Sequence, residues 1–170
     1  MVEFTRIGVL FVCHANMCRS PLAHALFLQR ARERDVLARL DVDSAGTWAA
    51  DGIPPHAGSV QVGALHGLSL DAAGVSRGLA PGDLQRFSQV IVMDRANLAD
   101  VERLRRLSAF GAATGDQARV RLLRAISHPR ARGADLDVPD PVRGGEAEFR
   151  TVFELVDQGC RALLDELFGQ

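Results

Sequence analysis

Four short apolar runs, each followed by a stretch with helical periodicity, restrict this chain more than any other feature. The first, IGVLFV (7–12), is continuous rather than alternating and rich in β-branched and aromatic residues. That is the pattern of a strand covered on both faces. A second strand is expected within LARLDVDSAG (37–46), closing in a small-residue turn at Ser44–Gly46. QVIVMD (89–94) and ARVRLL (118–123) supply the third and fourth. SPLAHALFLQRARERDV (20–36) reads as a helix, with Ser20 as its cap and Pro21 in its first turn. DGIPPHAGSVQVGALHGL (51–68) and RANLADVERLRRL (95–107) contain two more. In the last helix Phe149, Val152, Phe153, Val156, Cys160, Leu163, Leu164 and Leu167 recur at three- and four-residue steps. Strands alternating with helices imply an α/β fold, a three-layer open sheet of four parallel strands with helices on both faces. One domain over residues 1–170 is expected.

Charge narrows the partners. The formal net charge is −1, so no global field draws the chain to nucleic acid or to an anionic membrane. Neither is expected as a partner, and no apolar run reaches membrane-spanning length. All 20 basic residues are arginine, and tyrosine is absent. Three cysteines and no secretory leader suggest reduced thiols and a cytosolic setting. Monomer is the default state. Residues 127–148, rich in Pro, Gly and charge, are expected to form a long surface loop, and long loops in compact domains are often functional.

The chemistry concentrates in VCHANMCRSP (12–21). Three readings compete for it: a metal clip, a redox pair, or a loop that holds an anion against a thiolate. Cys13 and Cys18 have no second ligand pair nearby, and His14 adjoins Cys13 instead of lying at ligand spacing. No metal or cofactor is expected. The stretch leaves the first strand and opens the first helix, where open α/β sheets bind ligands. Backbone N–H groups of residues 14–19 could converge on one point, with the helix N-terminus adding positive potential. Such a cradle suits a phosphate-like dianion, and Arg19 adds a planar fork to it. The same field favours the thiolate of Cys13, and the Ser20 hydroxyl is placed to donate to that sulfur. A thiolate beneath a phosphoryl group is a nucleophile in line for attack.

Phosphate-ester cleavage also needs a proton donor. Asp135, Asp137 and Asp140 lie in the long loop, and Asp140 sits in VPDPV, where flanking prolines restrict the backbone and aim its carboxyl group.

VCHANMCRSP with VPDP far downstream resembles the low-molecular-weight protein tyrosine phosphatase family. DSAGT (43–47), the Pro pair at 54–55, VMDRANL (92–98) and the final helix follow in family order. The resemblance implies a flavodoxin-like sheet and hydrolysis of phosphotyrosine in protein substrates through a phosphocysteine, without cofactor or metal. By resemblance Cys13 is the nucleophile, Arg19 binds phosphate and Asp140 is the acid. His14, Ala15, Asn16, Met17, Cys18 and Ser20 form the substrate-binding loop, which inhibitory phosphate or other oxyanions would occupy. Asn16 braces the loop, and Ser44 and Asp94 match supporting positions.

Several residues depart from the family pattern. Ala15 replaces the usual Gly, which is harmless only if its φ is negative. Gly74 stands where many members carry a bracing His. Val142 and Arg143 replace two aromatics after the Asp-Pro step, so Trp48, the only indole, is expected to stack on the substrate ring while Arg143 favours acidic neighbours. Met17 replaces the Thr of phosphoarginine phosphatases and favours an aryl phosphate. Cys18 is read as a possible resolving thiol for oxidised Cys13, and Cys160 as core. His24, His56, His66 and His128 are expected at the surface or at caps. The Arg-rich 119–132 segment is read mainly as a solvated edge, with contact to a phosphorylated protein as the alternative. An arginine phosphatase, an arsenate reductase and a non-catalytic phosphate-binding module remain as alternative functions.

Overall fold

The computed structural model describes residues 5–109 and 118–169. Its strands are β1 (Ile7–Cys13), β2 (Leu40–Gly46), β3 (Gln89–Val92) and β4 (Arg119–Leu122). Its helices are α1 (Arg19–Glu33), α2 (Ala57–Leu65), α3 (Asp83–Arg86), α4 (Arg95–Ala109), α5 (Leu123–Ser127) and α6 (Glu146–Phe168). The strands pair in parallel in the order β2-β1-β3-β4. That is the flavodoxin-like order, whose direction switches between β1 and β3 and opens a crevice at their carboxyl ends.

Alternation along β1 divides the apolar residues between two cores. Val9, Phe11 and Cys13 face the layer that holds α1, α2, α5 and α6, where Phe27, Leu123, Phe153 and Leu164 are buried. Leu10 and Val12 face α3 and α4 and pack with Leu84, Phe87, Val92 and Val101. The α6 stripe lies as its spacing predicts, with Phe149 through Leu164 buried. Gly159 on that helix is a packing requirement, because a Cβ there would meet Leu123 Cγ at 2.3 Å. Its absence lets α6 close on α5.

Some boundaries differ from expectation. α6 begins at Glu146, three residues before the apolar stripe, because its first turn is exposed and held by polar contact. The Glu148 carboxylate accepts the Gly145 N–H at 2.7 Å. The long loop is partly ordered, with α5 running to Ser127 and a 3-10 turn at Gly133–Leu136. Among the described residues no helix is long and apolar enough to cross a membrane.

Candidate active site

The loop between β1 and α1 is held from both sides by its carbonyls. Thr47 N–H donates to Cys13 O and Trp48 N–H to His14 O, each at 2.9 Å. On the other flank His56 N–H donates to Met17 O at 2.8 Å, and Ser59 Oγ to Cys18 O at 3.0 Å. A trans peptide points its N–H opposite to its C=O. With these carbonyls drawn outward, the N–H groups of His14, Ala15, Cys18 and Arg19 turn to the concave side. Gly46 permits the close approach, since a Cβ there would lie 2.6 Å from His14 O and 2.8 Å from Asn16 N. The left-handed position in the loop is Asn16, at φ 54°, a residue type that tolerates it. Ala15 has negative φ, so replacing glycine there carries no strain.

Asn16 then directs a chain of hydrogen bonds to the sulfur. Its Oδ1 accepts the Arg77 N–H at 3.0 Å, which fixes the amide orientation. Its Nδ2 therefore donates to Ser20 Oγ at 2.8 Å and to Ser44 Oγ at 3.0 Å. With an acceptor site on Ser20 occupied, the Ser20 hydroxyl hydrogen is free for Cys13 Sγ at 3.0 Å, the nearer of its acceptors, with Ala45 O at 3.4 Å. Ser20 is thus not the helix cap. α1 begins one residue earlier, after Cys18, with no side-chain cap. Its first N–H groups remain available to an anion.

Arg19 is 2% exposed and joins three segments. Its Nη1 donates to Asp94 Oδ2 at 2.6 Å and to Val138 O at 3.0 Å, and its Nη2 lies 3.4 Å from Asp140 Oδ2. Its Nε is buried and has no protein partner. An unsatisfied buried donor costs about 1–3 kcal/mol, and an acceptor on a bound anion would satisfy it. Asp94 is held in turn by Asn97, whose N–H meets Asp94 Oδ1 at 2.7 Å. The loop carrying Asp140 is pinned just upstream. Val138 N–H donates to Met93 O at 2.8 Å, and Asp137 pairs with Arg95 at 2.9 Å. Arg95 holds the Asp137 carboxyl below its ordinary pKa. The Asp140 side chain is 44% exposed, and its Oδ1 accepts the Val142 N–H. A buried thiol, a buried guanidinium, a ring of inward amides and a partly open carboxyl group thus meet at the crevice between β1 and β3.

The sequence profile of low molecular weight phosphotyrosine protein phosphatases matches residues 8–170. The chain belongs to this family. A low molecular weight protein-tyrosine-phosphatase from Streptomyces coelicolor is 38% identical over 159 residues, 92% of this chain and 90% of its own. The low molecular weight protein-tyrosine-phosphatase YfkJ of Bacillus subtilis is 35% identical over 161 residues, 93% of this chain and 94% of its own. The YfkJ crystal structure aligns with a TM-score of 0.79, covering 97% of this chain and 96% of that one at 32% identity. The drosophila arginine phosphatase DARP aligns with a TM-score of 0.81 at 28% identity, covering 94% and 97%.

Other residues of this phosphatase-family chain lie less centrally. Trp48 is 66% exposed and borders a groove with Leu79, Asp100, Arg103, Leu104 and Leu107, which no residue of the 13–20 loop lines. Cys18 is buried, and burial, followed by the nearby Asp140 carboxylate, pushes its thiol up to about 12. Cys160 is fully buried against Ala23 O, as expected of a core residue. His24 is not at the surface: it is 5% exposed, and desolvation lowers its pKa. The first two turns of α1 are enclosed on every side, leaving no polar face for it. His56 caps α2 by accepting the Gly58 N–H and stacks on Phe149. His66 stacks on Phe153. Gly74 takes no part in bracing Asn16; the Arg77 backbone does that work. Arg77, Ser59, Gly46 and the Val138 carbonyl escaped the sequence reading because each acts across a long separation.

Proposed function

We propose that this protein is a protein tyrosine phosphatase that hydrolyses aryl phosphate monoesters through a phosphocysteine, with residues 1–170 acting as one cytosolic, monomeric catalytic domain. The observation that carries the reading is the buried Arg19, whose Nε lacks a partner beside the cradle that ends at Cys13. The loop amides and Arg19 bind three phosphoryl oxygens and balance their charge. The Cys13 thiolate attacks phosphorus from below while Asp140 gives its proton to the departing phenol oxygen. Water then attacks the phosphocysteine, Asp140 takes a proton from it, and the S–P bond breaks to release phosphate and restore the thiolate. Free phosphate and other oxyanions inhibit by occupying the same cradle. Trp48, whose backbone N–H is fixed on the His14 carbonyl of the loop, is assigned to stacking on the substrate ring.

Met17 offers an apolar neighbour to the substrate, which favours an aryl group. The likeness to DARP keeps phosphoarginine as the second reading. Arsenate reduction fits poorly, because Cys160, the one cysteine beyond Cys18, is sealed in the core. A silent binding module has no use for the Ser20–Cys13 contact and Asp140 together. The test is hydrolysis of p-nitrophenyl phosphate with chelator present, alongside phosphotyrosine and phosphoarginine peptides. Turnover that survives chelator and is faster on phosphotyrosine supports the proposal. No turnover of any of the three defeats it.

Cys18 gives this proposal a redox consequence. Peroxide is expected to oxidise the Cys13 thiolate of the proposed mechanism to a sulfenic acid. Cys18 then attacks that sulfur and gives its proton to the departing hydroxide, forming a disulfide and water, a step slowed by the burial that raises its thiol pKa. Cys18→Ser is therefore expected to inactivate at a similar initial rate but to recover several-fold less activity with dithiothreitol. Equal recovery in both proteins would remove the protective role.

A further inference from the structure

The phosphate cradle does not account for a second feature, a basic cavity on the loop that carries Asp140. α5 and the chain after it border an open depression of about 480 Å³, lined by Arg124, Ser127, His128, Pro129, Arg130, Ala131 and Asp135, in which the arginines flank a largely apolar floor. Many arginines elsewhere in the fold meet carboxylates, as Arg30 does Asp157, Arg77 does Asp83 and Arg121 does Glu166, although Arg6, Arg32 and Arg103 do not among the described residues. Those at this cavity do not. Arg124 Nε donates to the Asp135 backbone carbonyl, and the adjoining Arg132 donates to the carbonyls of Pro129 and Ala131. Carbonyl acceptors satisfy hydrogen bonds without cancelling formal charge. Arg130 is exposed and makes no hydrogen bond or ion pair among the described residues. The opposing charge in the lining is the Asp135 carboxylate, which pairs with none of them.

The cavity is fixed relative to the proposed acid. Asp135 precedes Asp140 by five residues, at most about 17 Å of extended chain. Between them the backbone is held by the Asp137–Arg95 pair and by Val138 N–H on Met93 O. Arg143, also exposed, follows Asp140 on the other side. We propose that this cavity is a docking subsite for an anionic side chain within about five residues of the phosphotyrosine. The proposal rests on the phosphatase reading and names the substrate's flank. The shared chemistry is a carboxylate or a second phosphate, met by guanidinium groups.

Arg130→Glu tests it cleanly, because Arg130 makes no hydrogen bond or ion pair among the described residues and lies outside the catalytic loop. Three phosphotyrosine peptides would be compared, with flanks rich in Asp and Glu, with Asn and Gln in their place, or carrying a phosphoserine. Wild type is expected to favour both anionic peptides over the neutral one, and to lose that preference in 0.5 M salt, a concentration chosen to bring the screening length to about 4 Å. Arg130→Glu should lower kcat/KM for the anionic peptides about five-fold through KM. The neutral peptide and p-nitrophenyl phosphate should be unaffected. A larger loss on the phosphoserine peptide identifies a second phosphate as the preferred anion, a larger loss on the Asp and Glu peptide identifies carboxylates, and equal losses on these two mean that the subsite takes either. Equal loss on all three peptides, or no loss, overturns the subsite. If p-nitrophenyl phosphate itself is not hydrolysed by wild type, the phosphatase reading fails instead.

Discussion

Replacing Cys13 with serine is expected to cut turnover of p-nitrophenyl phosphate by on the order of 10⁴-fold or more, with the fold retained. A serine hydroxyl is un-ionised near neutral pH and needs a base to become a nucleophile. None stands beside it. The polar side chain at Cys13 Sγ is Ser20 Oγ, itself a donor to the sulfur, and Asp94 is already engaged by Arg19 and Asn97. The carboxyl group of Asp140 lies on the Nη2 side of Arg19, where the proposed mechanism has it protonate the leaving group. The cradle, however, needs no thiol to hold an anion. The variant should keep its thermal midpoint within about 4 °C of wild type, corresponding to roughly 1 kcal/mol. Added inorganic phosphate should still raise that midpoint in both proteins. Residual turnover above one part in about a hundred would mean that another group attacks phosphorus.

The sequence and the structure agree where the signal is local. β1 is legible because its two faces are both buried, and α6 because its stripe meets a single layer. The proposed roles of Cys13, Arg19 and Asp140 rest on local signals of a different kind. The first two share one strand-to-helix turn, and the third is framed by Pro139 and Pro141. The bracing of those residues is legible only in part, since Asn16, Ser44 and Asp94 come from the family likeness and the backbone contacts do not. Arg77 meets Asn16 through its backbone N–H, and Val138 meets Arg19 through its carbonyl, so neither side chain carries a signal. His24 lies in the core and not at the surface because the start of α1 has neighbours on all sides. Ser20 was assigned two tasks by its position, and the hydrogen-bond geometry leaves it one.

Arg19 is where those hidden contacts matter. It binds the end of β3 through Asp94, the acid loop through Val138 O, and Asp140 itself. The proposed phosphate site and the proposed proton donor are thereby held by one buried side chain. Arginine suits this task, since its fork can hold several acceptors in one plane while remaining charged.

Asp140→Asn isolates the proton from that scaffold. Asparagine keeps an oxygen for the Val142 N–H and a similar volume, so the loop should stay in place. It has no acidic proton to give. Loss of a general acid typically costs 10²–10⁴-fold, and a fall in kcat of about 10²–10³-fold is expected with phenyl phosphate. The loss should be smaller with p-nitrophenyl phosphate, whose phenolate departs with little protonation. KM should hold steady or fall, because the cradle is intact and a negative charge 3.4 Å from Arg19 has been removed. The ratio between the two substrates is the decisive reading. A loss independent of the leaving group would make Asp140 a positioning residue for Arg19, whereas a loss that grows with leaving-group basicity identifies the carboxyl group as the donor.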